Sequence, residues 1–386
     1  FLYFFAPPSL LFRLPSYHPL AAMCTPWIAE YVWISGQNTY TDLRSKYMTV
    51  THVPIDAATP DKMKVWNFDG SSTGQAAGET SEILIKPVAV YPHPFLDNAR
   101  VVLSECYKPD MTPHPTNSRV VALKYFDAHK DDEPWFGLEQ EYFLYKGGRP
   151  YKLPAGGFPE PQGDFYCGNS SKVVGREIVL EHYQACLKMG LKIAGVNAEV
   201  APAQWEFQIG PCTGIEEGDH MVMARWVWAK IAEMNEMEIN YDPKPIKGDW
   251  NGSGCHHNFS TKAMRQPGGY EAIKQACANL GKTFLDDVKF YGGDNNQRMT
   301  GLHETSKLSE FTWSIGGRHT SVRVGNDVER EGKGYMEDRR PASNIDPYLS
   351  TVRLYTSAMG YAGPSAEEAN IPHEPWWDVL AKEAAQ

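Results

Sequence analysis

Residues 134–145 read PWFGLEQEYFLY, an apolar and aromatic run broken by two glutamates. Length and composition make the run a strand. Side chains alternate faces along a strand, so Glu139 and Glu141 point to one side and Gln140 to the other. Two like charges about 4 Å apart repel by about 4 kcal/mol even at an effective dielectric near 20, so something cationic should share that face. An exposed face wetted by two glutamates is the plain alternative. The flanking PWFGL and YFLY are strongly apolar, which counts against free solvent exposure.

Further along, KIAGVNAEV (192–200) and QWEFQIG (204–210) read as two strands separated by Ala201-Pro202-Ala203. Glu199 and Glu206 would fall on opposite faces of one straight strand. The turn between them lets two antiparallel strands carry both carboxylates on one side. Glu206 stands between Trp205 and Phe207, an awkward place for a merely solvated charge. In SGCHHNFS (253–260), His256 and Asn258 share a face with Ser260 next along, and His257 faces away. A single histidine is more often structural than a ligand. In GYMEDRR (334–340), Glu337 and Arg339 share a face, setting a metal-ligand type beside a phosphate-binding type. Oxygen ligands with at most one imidazole suit Mg2+ or Mn2+ rather than Zn2+. Each element is weak alone, and spacing does not bring them together.

Arg298, Arg318, Arg323 and Arg339 lie in the last third amid glycines and polar residues. Converging guanidinium groups would favour phosphates and carboxylates through bidentate contacts. Local pairing with acids such as Asp338 or Glu331 is the alternative for any one of them. WNGSGCHH (250–257) is glycine-rich but matches neither a Walker loop nor a dinucleotide fingerprint. TGLHETSK (300–307) places Glu304 in a small, polar context suited to a mobile lid or to an ordinary surface loop.

The first quarter is strand-rich: EYVWISG (30–36), YMTVTHV (47–53), a short strand leading into the DGSST loop (69–73), EILIKPVAVYP (82–92) and ARVVLSECY (99–107). KPDMTPHPTN (108–117) holds three prolines within seven residues and reads as a linker. Beyond it, a helix is expected from Asn117 or Ser118 to about His129. A second over 175–190 should carry a stripe of Val179, Tyr183, Cys186 and Leu187 and end at Gly190. A third should be capped by Asp219 and run to about Asn240 with Met223, Val227, Ile231 and Met234 on one face. Another lies around 270–290, and TSVRV (320–324) is a strand. The order is a β-rich domain followed by a larger mixed α+β domain.

The bulk numbers exclude several classes. A 386-residue chain that is 42% hydrophobic can bury a large core. A net charge of −10 with no Lys/Arg block argues against nucleic acid or an anionic membrane surface. Seven scattered cysteines with no CxxC argue against a disulfide framework or a zinc ribbon and fit a reducing, cytoplasmic setting. Residues 1–22 are apolar but proline-broken and too short to span a bilayer. We read them as an upstream-translated or dispensable extension, with a degenerate targeting peptide as the alternative.

Taken together, WNFDGSST, PWFGLEQEYFL, NAEVAPAQWEFQIGP, NGSGCHHNFSTKAMR, TGLHETS and GYMEDRRPASN resemble the glutamine synthetases of the eukaryotic type, collinearly from about residue 29 to 360. The resemblance implies an α+β fold: an N-terminal β-grasp domain (23–107), a linker (108–117) and a catalytic domain (118–386) with a curved antiparallel sheet flanked by helices. It implies an ATP-dependent ligase for L-glutamate and ammonium, forming a homo-oligomer, a decamer of two pentameric rings with active sites between neighbours. It further implies one Mg2+ or Mn2+ on Glu141, Glu199 and Glu206 and a second on Glu139, His256 and Glu337. Arg298, Arg339, Asn251 and Gly252 would hold glutamate and the transferring phosphoryl group, with Arg318 and Arg323 on the phosphate side. Trp135, Asn258 and Ser260 match the nucleotide pocket. Asp69 and Ser72, from an adjacent subunit, match the ammonium site; Glu304 matches the closing flap and Tyr166 a site-lining tyrosine. SIGGRHTSVRVGND (314–327) departs from the family pattern, lacking the Asn usually before its first arginine and the Pro-Arg usually after its second. A γ-glutamyl ligase for another amine, or a catalytically silent structural relative, are the competing readings.

Overall fold

The structure, a computed structural model, describes residues 24–36, 42–153, 165–169 and 171–384. The expected extension at 1–22 lies outside the described residues. Among the described residues, thirteen strands and seven α-helices make two sheets and the helices that cover them.

The first sheet is built from β1 (Trp27–Ile34), β2 (Leu43–Val50), β3 (Trp66–Asp69), β4 (Glu82–Pro92) and β5 (Ala99–Tyr107) in the order β2-β1-β5-β4-β3. β1 and β5 run parallel at its centre, and the other pairs are antiparallel. Alternation decides which side each residue serves. Trp27, Ala29, Tyr31 and Trp33 enter the sheet's own core with Ile83, Ile85 and Val102, whereas Val32 belongs to the main core of the molecule.

The second sheet has eight strands: β6 (Trp135–Tyr145), β7 (Ile193–Ala198), β8 (Gln204–Thr213), β9 (Glu238–Asn240), β10 (Cys255–Ser260), β11 (Trp313–Ile315), β12 (Val322–Val324) and β13 (Met336–Asp338). Their order is β11-β12-β13-β10-β6-β8-β7, with β9 on the far end of β6. All pairs are antiparallel except β11 with β12. The helices are α1 (Ser118–Ala128), α2 (Arg176–Met189), α3 (Ile215–Asn235), α4 (Gly269–Asp287), α5 (Asn326–Glu331), α6 (Pro347–Met359) and α7 (Pro375–Glu383). Asn117 caps α1 by accepting from the Val120 amide at 3.2 Å, and Gly190, left-handed at φ 80°, ends α2.

Three expectations need correction. The buried face of α2 is Ile178, Val179, His182, Ala185, Cys186 and Met189, and Leu187 is exposed. The stripe was set one position too far round because Leu187 looks like a core residue. On α3 the cap is Gly214, not Asp219, and the helix stops at Asn235. Asp219 lies inside it, buried and held by Arg119 (2.7 and 2.9 Å) and Tyr348 Oη (2.8 Å). Met223, Val227 and Ile231 are buried as read, but Met234 is exposed.

The two sheets meet at α3. Glu30, fully buried on β1, sits 3.0 Å from Lys230 and 3.1 Å from His93 Nε2. His93 Nδ1 accepts from the Phe95 and Leu96 amides, so Nε2 carries the proton it gives to Glu30. Arg119 on α1 bridges Glu105 of β5 and Asp219 of α3. Charged hydrogen bonds of this kind fix one geometry where apolar contact alone would slide.

Candidate active site

Strand register assembles the site. Arg323 pairs with Glu337, Glu337 with Asn258, His256 with Glu139, Glu139 with Gln208, Glu141 with Glu206, and Glu206 with Asn197. Paired residues share a face, so six neighbouring strands present these side chains on one side of the sheet. The intervening residues go the other way. Gln140 accepts from the buried Arg225 (2.6 and 3.0 Å), His257 bonds Ser350 (2.9 Å), and Asp338 pairs with Arg340 (2.6 Å). The local-pairing alternative thus holds for Arg340 with Asp338 and for Arg330 with Glu331, and neither is an arginine singled out above.

That face floors a cavity of about 540 Å³ lined by Glu139, Glu141, Glu199, Glu206, His256 and Glu337, among others. Ligand atoms of Glu139, His256 and Glu337 lie within 4.8 Å of one another, and so do those of Glu141, Glu199 and Glu206. In the first group His256 Nδ1 stands 3.5 Å from Glu139 and 3.4 Å from Glu337. Its Nε2 accepts from Arg298 Nη2 at 3.0 Å, since an arginine can only donate. Burial, then the Arg339 charge, holds the imidazole well below its ordinary value, so the ring is neutral. Asn258 donates to Glu139 at 2.8 Å, and Glu337 takes Arg323 (3.1 Å) and Arg339.

The second group is different. Glu141 accepts from the Gly254 amide at 2.6 Å, Glu199 from Asn197 at 2.9 Å, and Glu206 from Gln208. A Cβ on Gly254 would meet His256 Nε2 at 2.8 Å and Arg298 Nη2 at 2.5 Å, so only glycine brings that amide in. Among the described residues no lysine or arginine is in ion-pair contact with these three carboxylates. Burial raises Glu141 to about 7 against the pull of Arg298. Burial and then Glu141 raise Glu199 to about 8. Burial, Glu139 and Glu199 push Glu206 well above the carboxylate range. The protein alone does not keep all three ionised near neutral pH.

Arg298, Arg318, Arg323 and Arg339 all line the cavity, with Asn251, Gly252 and the half-exposed Tyr166. Burial lowers Arg298 to about 10, so it stays a cation. The 300–307 loop is pinched at its base by the Thr300–Lys307 bridge. His303 and Glu304 at its tip are both left-handed (φ 52° and 61°), a conformation that costs a non-glycine residue about 1–3 kcal/mol and must be held by its surroundings. Arg339 Nη2 donates to the Glu304 carbonyl at 3.4 Å and Arg318 Nη1 to its carboxylate at 3.5 Å.

A second cavity of about 470 Å³ holds Trp135, Asn258 and Ser260 and meets the first at Glu139 and Gln208, which line both. Its lining is mostly apolar and includes Pro211, Tyr335 and Arg265, whose guanidinium lies 3.9 Å over the Trp135 ring. Asp69 and Ser72 line neither cavity. Asp69 is exposed and accepts from Ser71 (2.7 Å through the hydroxyl) and Ser72 (3.1 Å), bonds that hold its carboxyl below the usual range. Reading the sequence missed Asn197, Gln208, His303, Arg265 and Tyr335. Two carried a usable signal: Asn197 and Gln208 stand two residues from Glu199 and Glu206, the spacing that paired Glu139 with Glu141.

A family model described as glutamine synthetase, catalytic domain, matches residues 116–286. The chain is 52% identical over 337 residues to a glutamine synthetase of Saccharomyces cerevisiae, covering 86% of this chain and 89% of that one. It is 50% identical over 334 residues to a nodule isozyme of glutamine synthetase from Vigna aconitifolia, covering 85% and 92%. It is 50% identical over 343 residues to glutamine synthetase root isozyme 1 of Zea mays, covering 87% and 94%.

Proposed function

The chain belongs to the glutamine synthetase family, and we propose from that membership and the geometry of the cavity that it joins ammonia to L-glutamate using ATP. What carries the site-level reading is the pair of three-residue groups on one cavity floor, one of them with no cation of its own. Six donors, five carboxylates and one imidazole, fit two hard divalent ions such as Mg2+ or Mn2+. Glu141, Glu199 and Glu206 would hold one; Glu139, His256 and Glu337 the other. When bound, such ions neutralise and polarise a transferring phosphoryl group. Glu199, raised by burial and then by Glu141, and Glu206, raised by burial and then by Glu139 and Glu199, are drawn back to the ionised form near neutral pH by added positive charge.

The remaining roles are those that the resemblance to the family implies, and the lining of the two cavities is compatible with them. Arg298 and Arg339, with Asn251 and Gly252, hold glutamate and its γ-carboxylate. Arg318 and Arg323 face the phosphates, and the apolar second cavity with Trp135, Asn258 and Ser260 takes the base and ribose of ATP. Phosphorylation turns the γ-carboxylate into an acyl phosphate; ammonia, formed when Asp69 takes a proton from ammonium, then attacks the acyl carbon and displaces phosphate. Water is the chief competitor, and Glu304 on the 300–307 loop covers the mouth against it. Asp69 and Ser72 of the partner subunit supply the ammonium site, which fits their position away from this chain's own cavity. That placement requires a homo-oligomer, and we carry the decamer of two pentameric rings as its form. The division into a β-grasp domain (23–107), linker (108–117) and catalytic domain (118–386) is part of the same reading. Its support is that the first sheet ends at Tyr107 and Asn117 caps the next helix. All seven cysteines are unpaired, which suits a reducing compartment such as the cytoplasm. Among the described residues no helix is long and apolar enough to cross a membrane.

The test is phosphate release from ATP by the purified protein, which should require both glutamate and ammonium. Release that ignores ammonium, or runs faster with a larger amine, overturns the ligase reading in favour of another γ-glutamyl transfer. The silent-relative alternative is disfavoured because all six donor positions carry metal-binding side chains and converge.

A further inference from the structure

Two loops face each other across the mouth of the cavity. One is 300–307, which carries Glu304; the other runs from Gly248 to Gly252 and ends in Asn251 and Gly252 on the cavity wall. One contact between them lies at the rim: His303 Nε2 donates to Asp249 Oδ1 at 3.0 Å. The two partners are unequal. The His303 side chain is 14% exposed and lines the cavity, whereas that of Asp249 is 87% exposed and stands outside it.

Each loop is anchored at its base and open at its tip. Thr300 and Lys307 close one, and Thr305 Oγ1 reaches the carbonyls of Leu302 (2.7 Å) and Arg298 (3.3 Å) inside it. The other is tied by Lys244 to the Trp250 carbonyl, by Asn251 to Gln204 (3.3 Å) and by Ser253 N to the Pro243 carbonyl (2.9 Å). Glu304 is gripped from the far side by Arg318 and Arg339. The tip therefore has a hold on each flank: two arginines that belong to the reaction centre, and one aspartate that does not. Left-handed backbone at both His303 and Glu304 sets those neighbouring side chains apart, one toward each hold.

We propose that the Asp249–His303 contact is a latch that positions the 300–307 loop, and with it Glu304, over the cavity during phosphoryl transfer and ammonia attack. The inference rests on the ligase reading given above. A hydrogen bond from an imidazole to a carboxylate mostly in solvent is weak and exchanges readily. That suits a closure that must open every turnover. Asp249 does not touch the cavity, so it is a positioning residue. Its loss should admit water to the acyl phosphate without changing how glutamate is bound.

The experiment is the ratio of phosphate released to glutamine formed, measured on the full-length protein at limiting ammonium. In the wild type the ratio should be close to one. Asp249→Ala should raise it about threefold, the shift that a weak exposed pair can hold, with the KM for glutamate unchanged. Asp249→Asn keeps an acceptor for His303 Nε2–H and should restore most of the coupling. Amide hydrogen exchange over 300–307 should quicken in Asp249→Ala and return in Asp249→Asn. If the wild type itself does not couple phosphate release to glutamine, the ligase reading falls and the latch with it. If the wild type couples and Asp249→Ala couples equally well with unchanged exchange, the latch alone is overturned.

Discussion

The joint between the first sheet and α3 and the floor of the cavity both bury carboxylates, and they treat the charge in opposite ways. At the joint Glu30 is fully buried, yet hydrogen bonds from His93, Ser45 and Lys230 outweigh the burial that would raise it and hold it at about 2. On the cavity floor Glu141, Glu199 and Glu206 are also buried, and burial wins. The arrangement at the joint recurs on β13. Asp338 points into the helices and is held below its ordinary range by Arg340 despite its burial. A buried charge that is paired fixes structure; a buried charge left without a counterion is a place kept for something that is not protein.

The comparison is broken most directly at Glu206. Glu206→Gln keeps shape and hydrogen bonding while removing one charge. Turnover should fall about a thousandfold, the scale seen when a charge-stabilising group is lost from a reaction centre. Thermal stability without added metal should hold near neutral pH, where Glu206 is protonated, and rise at alkaline pH, where the neighbouring carboxylates lose a repulsive partner. If the variant is instead destabilised like a broken ion pair, the floor is structural and the contrast with the joint disappears.

Glu30→Ala is the mirror experiment. It strands His93 and Lys230, and breaking a buried pair on one side costs about 3 kcal/mol. Urea denaturation should show that loss, with kcat/KM unchanged once the protein is folded. A large drop in kcat/KM at full folding would mean that the joint sets the geometry of the cavity and is not merely a weld.

A third effect should be smaller. Mg2+ or Mn2+ at about a hundred times its Kd should stabilise the native state by about 2.7 kcal/mol. The rise in Tm should persist in Glu30→Ala and vanish in Glu206→Gln. A cation effect equal in both variants would place the ions elsewhere.

How much of this was legible beforehand depends on how local the rule was. Period-two alternation is local, and it put Glu139 with Glu141 and His256 with Asn258 on shared faces, where the register now has them, and Glu337 with Arg339, which meet in the cavity lining. Which strands neighbour one another is not local. Placing β10 between β6 and β13 needed contacts more than about seventy residues apart in sequence. Helix faces were read less well than strands. Leu187 is exposed because α2 is covered on one side only, and Met234 because α3, buried on all sides from Glu217 to Trp228, emerges at its last turn. Asp219 has the look of a cap, but its role is tertiary and depends on Arg119, a hundred positions away. His303 gave no signal, since its partner Asp249 lies on a separate loop.

The smallest effect is a difference in the slope of stability with pH, and it separates the two regions without any mutation. Glu30 has a folded value of about 2, below its unfolded value near 4.5, so its contribution is full above about 4.5 and is lost as pH falls through 2. Glu141 and Glu199 are shifted the other way, to about 7 and about 8. Their contribution is full below about 4.5 and is lost as pH rises through 7 and 8. Without metal, Tm should therefore decline on both sides of the weakly acid range, on the acid side from the joint and on the alkaline side from the cavity floor. Saturating Mg2+ should flatten the alkaline limb, because the cation binds the ionised carboxylates and offsets their repulsion, and it should leave the acid limb alone. Glu206→Gln should make the metal-free alkaline limb shallower, and Glu30→Ala should do the same to the acid limb only. An alkaline limb that ignores both Mg2+ and Glu206→Gln would show that the three carboxylates are already compensated, and the distinction between the two regions would fail at its origin.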